Sequence, residues 1–132
     1  MFTLEVLARV EKIIREKTGQ PNLVLADYFH FIGGTSTGAI IAASLAWGLP
    51  VAEIKRLYIE QCRKVFSKKK MFGQFFYAKY AAEEMSELLR CQFSEDGQGR
   101  QPALLDSARL RTLLLVVMRN GATGSPWPVT NN

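Results

Sequence analysis

Five consecutive residues, Gly34-Thr35-Ser36-Thr37-Gly38, carry the clearest chemical signal in the sequence. They match G-x-S-x-G, the spacing at which a sharp strand-to-helix turn lifts a serine hydroxyl above a sheet. The chemistry would be acyl transfer: attack on a carbonyl, a covalent acyl-serine, and release by water. At about 7% usage of Gly and of Ser, the bare pattern arises by chance in roughly 4% of chains this long, so the flanks must decide. Here an apolar run enters and a helix of small residues leaves. The flanking glycines are expected because a side chain at either would collide with neighbouring backbone or with substrate. The unpaired N–H groups and dipole at the start of the helix would favour the negative charge of an attacked carbonyl. The bland alternative is a plain glycine turn in which Ser36 serves as the helix N-cap.

Other chemistry-bearing residues are few. His30 is the one histidine, so a His-rich metal site is excluded and any Ser-His-Asp triad would have to use it. It precedes Ser36 and falls inside the expected strand, whereas the histidine of an α/β-hydrolase follows its serine. A core or rim histidine is the expectation. Cys62 and Cys91 have no Cys or His partner at metal-ligand spacing. They read as free thiols in a reducing compartment, and no metal or cofactor is expected. Asp96-Gly97 is the one Asp-Gly pair; Asp27 and Asp106 sit in no recognisable motif.

The elements that must position Ser36 follow from periodicity. Leu4, Leu7, Val10 and Ile14 form one stripe of a helix over 4–17, with Glu5/Arg9 and Glu11/Arg15 paired on its exposed side. Thr18-Gly19 and then Pro21 stop it. Residues 28–32, Tyr-Phe-His-Phe-Ile, read as a buried parallel strand ending at two glycines. A helix over 36–47 carries Gly38, Ala39, Ala42, Ala43, Ser44 and Ala46, small enough for its backbone to lie close to a sheet. Gly48 caps it, and Pro50 opens a helix that buries Val51, Ile54, Leu57 and Tyr58. Residues 67–80 read as irregular, 81–91 as a short helix through Met85, Leu88 and Leu89, and 94–101 as a polar loop. Residues 113–118 read as a fully buried strand, and 121–132 as an edge segment or loop. Apolar strands separated by helices imply an α/β architecture: three layers, a mostly parallel sheet flanked by helices, and a nucleophile-elbow strand-turn-helix.

Composition adds bounds. The 132 residues suit one domain, and 48% hydrophobic with 22% charged is globular. The net charge of +5 is local: residues 51–70 hold seven basic and two acidic groups. So local an excess does not indicate a nucleic-acid partner. No export signal is visible at the start. The 25 residues Tyr28 to Ala52 carry no formal charge, yet the glycine turn and Gly48-Leu49-Pro50 divide them, which excludes a membrane span. Phe66, Phe72, Phe75, Phe76, Tyr77 and Tyr80 interleave with Lys64, Lys68, Lys69, Lys70 and Lys79. One reading is an interfacial surface for anionic lipid. The favoured one is a solvated helix end followed by a loop whose aromatics reach the core. Single-stranded nucleic acid would need a β platform, which this segment lacks.

The stretch from Leu25 to Ala42, LADYFHFIGGTSTGAIIA, resembles the patatin-like phospholipases, serine lipid acyl hydrolases whose elbow reads G-T-S-T-G. The helix through Leu4 and Glu5 is similar to the family's first helix, and residues 113–128 also fit. The departures are small: His30 stands where an aspartate is common, and Ala39 where a second glycine is common. The resemblance implies Ser36 as catalytic nucleophile within the elbow Gly34, Thr35, Thr37, Gly38, and a Ser–Asp dyad with no need of His30. It also implies a glycine-rich oxyanion loop, D-G-G-G-x-R-G, ahead of the first helix and a base in a D-G-G or D-G-A motif. Neither occurs here, so residues 1–132 are expected to be a partial domain, cut at both ends. The implied partner is a lipid or other acyl-ester substrate, met in the cytoplasm or peripherally at a membrane surface. Strands without neighbours would expose an apolar sheet edge and favour self-association. The competing class is a catalytically dead fragment retaining at most a binding role.

Overall fold

The computed structural model describes residues 2–68 and 86–132, and for 61–68 the backbone alone. They form two compact units, Met1–Lys55 with Leu105–Asn132, and Arg56–Leu104. The first unit opens with α1 (Phe2–Thr18). Leu4 and Ile14 are buried and Leu7 and Val10 half-buried, the stripe expected from helical period. Gly19, at φ 68°, ends the helix, and the Thr18 hydroxyl donates to the Ile14 carbonyl at 2.8 Å.

The acidic residues of α1 depart from the expected exposed pairs. Glu5 meets Lys55 at 2.6 Å instead of Arg9, and Glu11 is only 3% exposed. The Arg15 guanidinium lies 3.3 Å from the Glu11 carboxylate, whose two oxygens accept the Val51 N–H at 3.3 and 3.4 Å. Val51 opens α4 (Val51–Lys68) directly after Pro50. Glu11 thus satisfies a donor that every helix start leaves unpaired and sits at the positive end of its dipole. Spacing alone cannot distinguish this from a surface pair, because the chain that covers Glu11 returns 40 residues later.

Burial pushes the Glu11 carboxyl above its ordinary value of 4.5, against the opposing pull of Arg15 and of the Val51 N–H. The folded chain therefore holds this proton to higher pH than the unfolded chain does. The contribution to stability is full below the unfolded value and is lost as pH rises through the folded one. Glu11→Gln is expected to flatten the dependence of melting temperature on pH immediately above 4.5. A variant whose profile runs parallel to the parent across that window would contradict this assignment.

Ahead of the sheet, the chain makes one helical turn, α2 (Leu25–Tyr28), and then β1 (Phe31–Thr35). The strand is therefore shifted from the expected 28–32: Tyr28 closes a helix, and Gly33 and Gly34 lie within the strand. Asp27 is the physical reason for the turn. Its carboxylate accepts the Val24 N–H at 3.1 Å and meets the Arg111 guanidinium at 3.1 Å. Arg111 reaches it across Gly48, which takes φ 86° and whose Cβ, if present, would fall 2.5 Å from Arg111 Cδ.

Strand β1 pairs in parallel with β2 (Leu113–Arg119), Phe31 beside Leu113 and Thr35 beside Val117. β2 pairs antiparallel with β3 (Pro126–Thr130), giving the order β1-β2-β3. Pro126 and Pro128 suit β3, because a residue without an N–H is tolerated at a sheet edge. α3 (Thr37–Ala46) packs against β1 and β2. Ala42, Ala46 and Leu114 are its buried centre, with Ile32 and Val116 against them. The class is α/β as expected, with helices and a small mixed sheet that includes a parallel pair. Strand burial is lower than the apolar runs suggest. In β2 only Leu114 is fully buried, while Phe31 is 53% and Trp127 56% exposed. Among the described helices it is α3 that packs closely on this sheet, which accounts for the difference.

The second unit holds the remainder of α4 and a helical stretch over residues 86–92. The polar run expected as a loop over 94–101 is a tied turn closed by a bridge between Ser94 and Pro102. Ser94 is buried; its hydroxyl donates to the Cys91 carbonyl at 3.0 Å and accepts the Gly99 N–H at 3.1 Å. From residue 69 the basic and aromatic stretch lies outside the described residues, as does the first part of the helix expected over 81–91. Residues 67–68 belong to α4. No helix among the described residues is long and apolar enough to cross a membrane.

Candidate active site

All five motif residues meet at one turn: Gly34 and Thr35 end β1, Ser36 is the turn, and Thr37 and Gly38 begin α3. Ser36 takes φ 53° and ψ −128° and is the only non-glycine residue with positive φ among those described. A side chain in that region costs about 1–3 kcal/mol unless the surroundings enforce it. Gly34 is what lets the helix approach closely enough to hold it. A Cβ there would lie 2.8 Å from the Ala39 nitrogen and closer still to the Gly38 carbonyl, so the first turn of α3 is pressed against bare strand backbone.

Two expectations about the motif need correction. Gly38 has nothing within 4 Å of where a Cβ would stand, so backbone collision explains Gly34 alone. The N-cap alternative fails as well. Ser36 occupies the N-cap position, but its hydroxyl makes no capping hydrogen bond; the Ser36 carbonyl accepts the Ala39 N–H at 3.0 Å instead. The hydroxyl is left exposed rather than engaged in holding the helix.

Parallel pairing decides what surrounds it. Because Thr35 lies beside Val117, the chain leaves β1 and β2 at the same carboxyl end, where open α/β sheets place their ligands. An open cleft of about 550 Å³ forms there, lined by Ser36 and Ala39 on one side and by Val117, Met118 and Arg119 on the other. Gly124 and Pro126 complete it. Nothing in the sequence singles out Arg119, since a basic residue closing an apolar strand reads as a solvated end. Only the register of β1 against β2 brings it to Ser36.

The remaining candidates lie elsewhere. His30 is exposed and stands before β1, so a five-residue strand, at roughly 3.3 Å per residue, separates it from Ser36. It is a rim residue outside the strand, and its carbonyl accepts the Leu113 N–H at 3.3 Å. Asp27 is committed to Val24 and Arg111. Asp96 accepts the Gln98 N–H at 2.9 Å, and that bond holds its carboxyl below the ordinary value. Cys91 is an exposed free thiol, and the side chain of Cys62 lies outside the described residues. Among the described residues no cluster of His, Cys, Asp or Glu is arranged to hold a metal ion.

A parallel strand, a positive-φ serine turn, a close-packed small-residue helix and a cleft at the strand ends define an α/β protein with a strand-turn-helix at Ser36. A family model for patatin-like phospholipases matches residues 1–128, and the chain belongs to that family. It is 38% identical over 76 residues to a cGAMP-activated phospholipase of Vibrio cholerae, covering 58% of this chain and 21% of that protein. It is 33% identical over 121 residues to patatin-like protein 1 of Oryza sativa, covering 86% of this chain and 27% of the relative. It is 34% identical over 86 residues to patatin-like protein 2 of Arabidopsis thaliana, covering 54% and 21%. The chain thus spans about a fifth to a quarter of these relatives' lengths.

Proposed function

We propose that this chain carries the nucleophile of a serine acyl hydrolase that cleaves acyl ester bonds of lipids. The observation that carries the reading is the exposed, uncapped Ser36 hydroxyl held at φ 53° between β1 and α3. Its oxygen would attack the acyl carbonyl, expel the alcohol and form an acyl-serine that water then hydrolyses. The start of α3 would favour the negative charge of the tetrahedral intermediate through its dipole. The apolar side chains of Ala39, Val117, Met118 and Pro126 suit an acyl chain, and phospholipase activity in the names of related proteins supports a lipid substrate.

One observation favours a second reading. No carboxylate or imidazole lines the cleft among the described residues, so no group beside Ser36 is placed to take its proton. The family's dyad assigns that step to an aspartate, in a motif this chain does not contain. On the second reading the 132 residues hold the nucleophile but do not turn over. Hydrolysis of a short-chain nitrophenyl ester by the purified chain separates the two. Turnover that Ser36→Ala abolishes would support the first reading and overturn the second. A rate equal to that of Ser36→Ala would contradict turnover by this chain.

A further inference from the structure

Strand β2 brings one cation to the Ser36 cleft, and its surroundings suit it to an anionic ligand. Arg119 is exposed, and among the described residues no carboxylate pairs with it. Its guanidinium nevertheless has a defined seat. It lies over Gly124, where a Cβ would fall 3.3 Å from Nη2 and 3.7 Å from Nε. Gly124 takes φ 69°, and its N–H donates to the Asn120 carbonyl at 2.8 Å. The same turn is tied by the Asn120 N–H on the Ser125 carbonyl at 2.9 Å, and the Asn120 side chain accepts the Ala122 N–H at 2.9 Å. A fixed, bare glycine face therefore supports the planar fork beside the cleft. A guanidinium so held offers several donors at once, a geometry that fits phosphate oxygens better than a flexible ammonium does. The other side chains across the cleft are apolar apart from Ser36, so one ligand could place an acyl chain and an anionic group there together.

Resting on the reading of Ser36 as nucleophile, we propose that Arg119 binds the phosphate of the substrate's head group. It thereby selects phosphate-bearing acyl esters over neutral ones. Its contact is with the head group and not with the reacting carbonyl, which makes it a specificity residue.

Equilibrium binding to the Ser36→Ala chain tests this without turnover, so the outcome is separate from whether Ser36 is the nucleophile. The ligands are the short-chain, water-soluble dihexanoyl phosphatidic acid, neutral dihexanoylglycerol and inorganic phosphate. The unaltered Arg119 chain should prefer the phosphatidic acid to the neutral diglyceride, and the preference should fall as salt rises. Arg119→Gln should weaken phosphatidic acid binding about tenfold or more, the scale of a charge-assisted hydrogen bond, and leave the diglyceride unchanged. Arg119→Lys should lie between the two. Absence of a preference for the phosphate ligand overturns the proposal. So does an equal loss for both ligands in Arg119→Gln, which would mark a structural role. Inorganic phosphate competing as effectively as the lipid would identify a free-phosphate site and overturn the head-group assignment.

Discussion

Gly34→Ala is expected to destabilise the chain by about 3 kcal/mol or more, while Gly38→Ala leaves it as stable as the parent or slightly more so. The two glycines flank the same serine and look alike in sequence. They differ in what a methyl group would meet. At position 34 it would stand 2.8 Å from the Ala39 nitrogen and nearer still to the Gly38 carbonyl. These are backbone atoms of α3, and no side-chain rotation relieves the overlap. Either the helix moves off the sheet, losing the contact of Ala42 and Ala46 with Leu114, or the elbow opens. Overpacking that cannot be relieved costs about 1–3 kcal/mol and at times more, a large share of the roughly 5–15 kcal/mol that holds a domain together. At position 38 the space is open, and alanine is the better helix former by about 0.5–1 kcal/mol. Urea midpoints of the two variants measure the difference directly. Equal midpoints would show that α3 does not press on Gly34.

Ser36→Gly is expected to raise stability while removing the chemistry. The backbone at φ 53° and ψ −128° suits glycine and strains any residue with a Cβ, at a cost of order 1–3 kcal/mol. Glycine also gives the unfolded chain more freedom, which opposes the gain by about 0.5–1 kcal/mol. The expected net is about 1 kcal/mol of stabilisation, seen as a higher midpoint. Ser36→Ala keeps the Cβ and therefore the strain, so it should lose the hydroxyl without that rise. The pair of variants separates backbone from hydroxyl. A Ser36→Gly chain no more stable than Ser36→Ala would mean that the elbow stores no strain.

How much of this the sequence discloses depends on the range of the interactions involved. The elbow is legible because its parts are contiguous: glycine, serine and a small-residue helix within a dozen positions. The stripe of α1, the Gly48 cap and the opening of α4 after Pro50 are local signals too, and they are found where periodicity puts them. Features that depend on distant chain are not legible. The Arg111 guanidinium that meets Asp27 comes from distant chain, whereas the Asp27–Val24 bond that starts α2 and displaces the strand from 28–32 to 31–35 is local. Glu11 is internal because the start of α4 returns over it. Arg119 joins the cleft through the register of Thr35 beside Val117, and no spacing rule supplies that register. The apolar run 113–118 indicates a strand but not how much of it is covered. Burial follows from what packs on each face, and here that is α3 over Leu114.

The site of covalent capture tests most directly whether Ser36 is a nucleophile. The folded chain is treated with a fluorophosphonate, which forms a stable bond to an activated serine, and the adduct is located by peptide mass mapping. An adduct is expected on Ser36, absent from Ser36→Ala and suppressed when urea unfolds the chain. An unmodified Ser36, or labelling that survives Ser36→Ala or unfolding undiminished, would contradict that role.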